Sequence, residues 1–122
     1  MIREINRRSI KNYRRDSRTS IPPYIWKSFN IPLPIPEYHF VTNRRWRIDY
    51  AWPCPHRVAV EIEGGIWTKG RHVQPQGFIE DMEKYNMLSE TGWILLRYEP
   101  KKIDYEQIKR VLIERSNINN DY

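Results

Sequence analysis

The amino-acid sequence predicts an α/β fold, a mixed sheet flanked by helices in the order α-β-β-β-α-β with a C-terminal helix. Three observations predict it. Two runs, Arg44 to Trp52 and Arg57 to Glu63, alternate β-branched or aromatic residues with polar ones and flank the turn Pro53-Cys54-Pro55-His56. Phe78, Met82, Tyr85 and Leu88 recur at helical spacing over Phe78 to Glu90. Directly after them comes the almost wholly apolar run Trp93 to Tyr98, the pattern of a strand covered on both faces. At 122 residues the chain is expected to form one domain with a modest core.

The elements follow in order. Residues 1 to 20 carry Arg3, Arg7, Arg8, Lys11, Arg14, Arg15 and Arg18 against Glu4 and Asp16. As a helix they would line up Arg3, Arg7, Lys11, Arg14 and Arg18 on one face; an arm that orders on binding fits equally. The remainder, residues 21 to 122, is read as a single domain. Proline suits a first helical turn, so a short helix is expected from Pro23 to about Asn30. Ile31 to Pro36 must then be extended, because every second residue there precedes a proline. Glu37 to Val41 reads as a strand turning at Thr42-Asn43 into the Asp49 strand. A hairpin centred on Pro55 sets Asp49 opposite Glu61 and Ala51 opposite Ala59. Trp46, Ile48, Tyr50 and Trp52 would share the opposite face, against the apolar side of the Phe78 helix, and Glu80 and Lys84 would pair on its outside. Thr91-Gly92 ends that helix. Asp104 caps the last one, with Gln107 completing a capping box and Ile103 and Ile108 a hydrophobic staple.

Composition narrows the function classes. The net charge of +6 is concentrated in the first twenty residues, which suggests a polyanionic partner, nucleic acid before membrane. No apolar run is long enough to span a bilayer. One cysteine, Cys54, forms no internal disulfide and fits an intracellular setting. The spacing of Cys54, His56, His39 and His72 does not resemble a structural zinc site.

Side chains alternate faces along a strand, so Asp49, Glu61 and Glu63 emerge together. Three carboxylates on adjacent strands repel one another unless a cation holds them. Mg²⁺ takes hard oxygen ligands: Asp49, Glu61 and the backbone carbonyl of Ile62 would supply them, and Glu63 would orient or deprotonate a water there. Arg44, Arg45, Arg47, Lys69 and Arg71 bracket these acids, so a phosphate backbone could still approach. The plainer alternative is a cross-strand ion pair of Glu63 with Arg47, which falls opposite it in this register. Trp67, in the glycine-rich loop beside the acids, could stack on a base or simply pack.

Asp at a strand end, a turn, and Glu61-Ile62-Glu63 on the next strand resemble the signature of the PD-(D/E)XK nucleases, and the element order is similar to their restriction-endonuclease-like core. More closely, Arg45 to Trp52, Val58 to Gly65, Gly70-Arg71-His72, Asp81 to Asn86 and Gly92 to Tyr98 resemble small phage and prophage endonucleases related to the very-short-patch-repair group. The resemblance runs from about Tyr38 to Tyr98. It implies an Mg²⁺- or Mn²⁺-dependent DNA endonuclease leaving 5′-phosphate and 3′-hydroxyl ends, with Asp49 and Glu61 as metal ligands and His72 near the site. Glu63 stands where the signature lysine usually is, which leaves Lys69 or Lys84 to supply the missing cation. Asp81 and Lys84 resemble an acidic and basic pair on the following helix, and Glu37 is the candidate for a further acid. DNA is the expected partner, with no small-molecule cofactor. A single site per chain implies a homodimer or two successive nicks on duplex substrates. A non-catalytic nucleic-acid-binding module and a metal-dependent ribonuclease on the same scaffold are the alternatives.

Overall fold

The structure, a computed structural model, describes residues 20–63 and 75–120. Its elements are helix α1 (Pro23–Ser28), strands β1 (Ile35–Tyr38), β2 (Ile48–Trp52) and β3 (Val58–Ile62), helix α2 (Pro75–Glu90), strand β4 (Ile94–Tyr98) and helix α3 (Tyr105–Asn120). The expected order holds. The strands form one mixed sheet in the order β1-β2-β3-β4, antiparallel except for the parallel β3–β4 pair. That parallel step requires a crossover, which α2 provides. No helix among the described residues is long and apolar enough to cross a membrane.

The β2–β3 register is the one the Pro55 hairpin predicts: Tyr50 faces Val60, Ala51 faces Ala59 and Trp52 faces Val58. All five residues of β3 are buried, as befits a strand with neighbours on both edges and helices on both faces.

On one face, Tyr50, Trp52, Val58, Val60 and Ile62 pack with Trp26, Ile31, Ile108 and Leu112, so α1 and α3 cover it. Trp26 is the hub, edge-on to Tyr50, Trp52 and Tyr105 at centroid distances of 5.3, 5.3 and 5.6 Å, a favoured aromatic geometry. The Trp52 indole N–H donates to the Pro32 carbonyl at 2.7 Å and the Ile21 N–H donates to the Tyr50 hydroxyl at 2.7 Å. These bonds fasten the proline-rich segment and the start of α1 to the sheet.

On the other face, Ile48, Ala51, Ala59 and Leu88 form a second cluster, with Tyr38, Phe40, Tyr85, Trp93 and Leu95 around it. Here the expected packing is corrected. Ile48 does pack with α2, alongside Ala51 and Ala59, but Tyr50 and Trp52 face α1 and α3 instead. The opposed alanines at 51 and 59 present a low surface on which a helix can settle closely, whereas the bulky Tyr50 and Trp52 need the larger aromatic pocket opposite. The inward face of α2 is also rotated from the expected stripe: Met82 is 49% exposed, while Lys84, Tyr85 and Leu88 turn toward the sheet. The Phe78 side chain lies outside the described set.

Helix ends obey local rules. At the end of α2, Gly92 has φ +84°, and N–H groups of Gly92 and Trp93 reach the carbonyls of Ser89 and Leu88, a Schellman arrangement. Asn30, φ +58°, does the same for α1: Asn30 and Ile31 donate to Lys27 and Trp26, and the helix stops at Ser28, short of Asn30. The carboxylate of Asp104 accepts from the Gln107 N–H at 3.0 Å, and Ile103 and Ile108 share one cluster. The reciprocal half of the capping box is replaced, since the Gln107 side chain accepts from the Tyr98 hydroxyl at 2.6 Å.

Candidate functional site: paired carboxylates at the end of the hairpin

The last antiparallel pair between β2 and β3 is Tyr50 with Val60. Beyond it, side chains take over from the backbone ladder. The Asp49 carboxylate accepts the Ile62 N–H at 2.7 Å, and the Asp49 N–H reaches Glu61 Oε2 at 3.4 Å. Each acid is thus held by the backbone of the other's strand. In an antiparallel ladder the N–H and C=O of one residue point to the same neighbour. The Ile62 carbonyl therefore faces the β2 edge, on the side of Asp49.

Both acids are withdrawn from water. Glu61 is 6% exposed, and it is the one buried charged residue among those described. Burial is the largest cause pushing Glu61 up, to about 8; the Asp49 charge adds to the rise and Lys84 opposes it. Asp49 is also raised, chiefly by burial, against the hydrogen bond from Ile62 that favours its charged form. Glu37 falls opposite Asp49 in the β1–β2 register, and its charge pushes Asp49 further up.

Helix α2 lowers a cation onto this pair. Lys84 Nζ forms an ion pair and hydrogen bond with Glu61 Oε1, both side chains largely buried. The expected outward pairing of Lys84 with Glu80 is thereby corrected: the rotation of α2 that exposes Met82 turns Lys84 inward. Glu63 is half-buried and takes the Arg97 Nε at 2.6 Å. The alternative Glu63–Arg47 pair is corrected too. The parallel β3–β4 pairing continues past the acids, with Glu63 N–H donating to the Tyr98 carbonyl at 2.8 Å, whereas β2 and β3 have already parted. Arg47 is left with a buried Nε that has no hydrogen-bond partner.

The arginines expected to bracket the site divide. Arg44 lies 4.0 Å over the Trp46 ring and pairs with Glu83 of α2, and Arg45 is exposed. Trp67, Lys69, Arg71 and His72, with Arg3, Arg7, Lys11, Arg14 and Arg18, lie outside the described residues. Sequence reasoning missed Arg97 and Tyr85. Arg97 is the register partner of Glu61, and its guanidinium lies 4.8 Å from the Tyr85 ring centroid. The available signal was that Arg97 is the one charged residue in the apolar run Ile94 to Tyr98.

The donor set can be tested against a divalent cation. Two largely buried carboxylates, both raised by burial, form a site a hard cation would stabilise, and a backbone carbonyl stands beside them. Among the described residues no group of three His, Cys, Asp or Glu side chains is assembled as ligands, so water or substrate oxygens would complete the shell, as is usual for Mg²⁺. The residues fit a sparsely liganded Mg²⁺ or Mn²⁺ and do not resemble a closed structural site.

Two proteins of Mycobacterium tuberculosis, the uncharacterized proteins MT2308 of strain CDC 1551 and Rv2248 of strain H37Rv, are each 32% identical to the chain over 68 residues. The match takes in 52% of this chain and 23% of each relative, so the chain spans about a quarter of the length of the curated relatives it matches. No family model matches the chain, and no solved structure gives a significant match.

Proposed function

We propose that the chain is a metal-dependent endonuclease of the PD-(D/E)XK type, with a restriction-endonuclease-like core, that hydrolyses DNA phosphodiester bonds. One observation carries the reading. Two largely buried carboxylates from adjacent strands, Asp49 and Glu61, meet where the strands stop pairing, with a lysine brought to them from the crossover helix. A solvated acidic face would leave these groups in water, and a purely structural ion pair would need one carboxylate.

In this reading Asp49, Glu61 and the Ile62 carbonyl hold Mg²⁺ or Mn²⁺. When bound, the cation would supply charge stabilisation at the phosphoryl oxygens and acidify a nearby water. Lys84 stands in for the signature lysine that Glu63 replaces, neutralising charge from the helix side. Glu63, at the rim, accepts the proton of the attacking water. The water oxygen bonds to phosphorus and the P–O3′ bond breaks, the departing 3′-oxygen taking a proton from solvent, which leaves a 5′-phosphate and a 3′-hydroxyl. Exposed Arg45 and the basic residues 1 to 20 favour approach of a polyanion. A soluble intracellular setting and a phage or prophage origin belong to the same proposal.

A second reading has one specific observation in its favour. Lys84 already neutralises Glu61, so the fold could persist as a nucleic-acid-binding module without chemistry. Plasmid, single-stranded, branched and RNA substrates incubated with Mg²⁺, Mn²⁺ or chelator separate the two. The nuclease reading expects metal-dependent cleavage that is lost in Asp49→Asn and Glu63→Ala, with DNA preferred over RNA. Binding without cleavage under every metal supports the module, and cleavage confined to RNA supports a ribonuclease.

A further inference from the structure

Arg97 sits in an unusual position for an ion-pairing residue. It belongs to β4, directly in register with Glu61, so it emerges on the same face as the paired acids. Its Nε is engaged by Glu63 Oε1 at 2.6 Å, and its guanidinium carbon lies over the Tyr85 ring, 4.8 Å from the centroid. The side chain is nevertheless 51% exposed, against 23% for Glu63 and 9% for Glu61. A guanidinium carries five donors in a rigid fork, and Glu63 uses the Nε edge. The Tyr85 ring beside it limits where the group can move, while about half of the side chain stays open to solvent. The group is thus confined by an aromatic ring and held in place by a carboxylate that is itself at the rim.

We propose that Arg97 exchanges partners, from Glu63 in the free protein to a phosphate oxygen of bound nucleic acid, so that backbone binding is what releases Glu63. This deepens the nuclease reading above and rests on it. In the free protein the Arg97–Glu63 pair keeps Glu63 from acting on water. A phosphodiester arriving over the acids meets Arg97 first, because it is the most exposed cation of the cluster formed with Lys84. Phosphate matches the guanidinium fork bidentately and at full charge, so it competes well against a carboxylate held by one contact. The Tyr85 ring keeps the guanidinium confined through the exchange.

The test uses the full chain and a DNA oligonucleotide duplex and single strand, with Ca²⁺ or chelator present so that affinity is read without turnover. Arg97→Gln is expected to weaken binding about tenfold, the scale of a lost charged hydrogen bond, and to lower the salt slope by about one. Glu63→Gln frees Arg97 and is expected to tighten binding about fivefold, the scale of a partly exposed ion pair. In the Arg97→Gln background that tightening should disappear, which separates release of Arg97 from simple removal of a negative charge. Thermal unfolding of each variant checks that the fold persists, and Arg97→Lys, which keeps the charge without the fork, should recover only part of the affinity. Glu63→Gln tightening binding equally in both backgrounds, or Arg97→Gln leaving affinity and salt slope unchanged, would overturn the exchange. Should the double-variant pattern hold while no metal supports cleavage, the exchange stands and the nuclease reading fails. Cleavage with no such pattern overturns the exchange and keeps the nuclease reading, and a wild-type chain that binds neither oligonucleotide overturns both.

Discussion

At the residue scale, Glu61 decides the chemistry of the site. Its pKa is raised above the ordinary carboxylate value to about 8, first by burial and then by Asp49. A carboxyl group whose folded pKa is raised binds more protons in the folded state than in the unfolded one. Its contribution is fully present below the unfolded value near 4.5 and is lost as pH rises through about 8. In chelator, denaturant unfolding should therefore show stability falling from about pH 5 to about pH 8. Added Mn²⁺ should offset the fall at the upper end, since the cation replaces the proton. Stability that rises over this window in chelator would contradict the assignment. Lys84 offers a second residue-scale test. Lys84→Met leaves Glu61 buried without its cation, and breaking such a pair costs about 3 kcal/mol. The penalty should be full only above about pH 8, where Glu61 is ionised, and shrink below it, where Glu61 is protonated in either variant. A loss independent of pH would assign Lys84 a packing role instead.

At the scale of elements, what was legible in the sequence depends on how local the determinant is. The hairpin register followed from Pro53 to His56, because a proline-bounded turn between two alternating runs leaves few alignments, and the Asp49–Glu61 juxtaposition came with it. The stop at Gly92 was equally local. Helix α2 was harder. Phe78, Met82, Tyr85 and Leu88 suggest one stripe, but both sheet faces are apolar, so periodicity could not say which face the helix would cover or that Lys84 would turn inward. The Glu63–Arg97 pair was illegible for a different reason: it depends on the parallel β3–β4 register, which is set by a long crossover rather than by a local turn. Gly92 makes the local rule testable. A Cβ there would stand 3.4 Å from an Arg57 Nη1 atom, and φ of +84° disfavours any L side chain. Gly92→Ala should cost about 1 kcal/mol, read from denaturant midpoints; an unchanged or raised midpoint would mean that the turn is not held in this geometry.

At the scale of the molecule, charge is divided between two tasks. The described domain holds the acids together with Lys84 and Arg97, while the first twenty residues carry most of the chain's excess positive charge. Deleting residues 1 to 20 should weaken DNA binding and reduce the dependence of log K on log salt by about 0.9 for each phosphate that is no longer neutralised. Denaturant unfolding of the truncated chain checks that the domain still folds, so that a loss of binding reads on the basic segment itself. An unchanged salt slope would show that this segment is not a phosphate grip. Sequence composition pointed to a polyanion and the family resemblance to a nuclease. The sheet topology adds why these particular acids stay together: β2 and β3 separate at Tyr50 and Val60, and β4 continues alongside Glu63.

Whether Asp49 and Glu61 hold a divalent cation, as proposed, is read by calorimetric titration of Mn²⁺ into the 122-residue chain at about pH 7.5. One binding site with release of protons is expected, because an acid raised to about 8 must deprotonate to bind. Both the site and the proton release should be lost in Asp49→Asn while the variant remains folded. Equal affinity and equal proton release in wild type and Asp49→Asn would contradict the proposal, and would leave Glu61 and Lys84 as a buried ion pair of the scaffold.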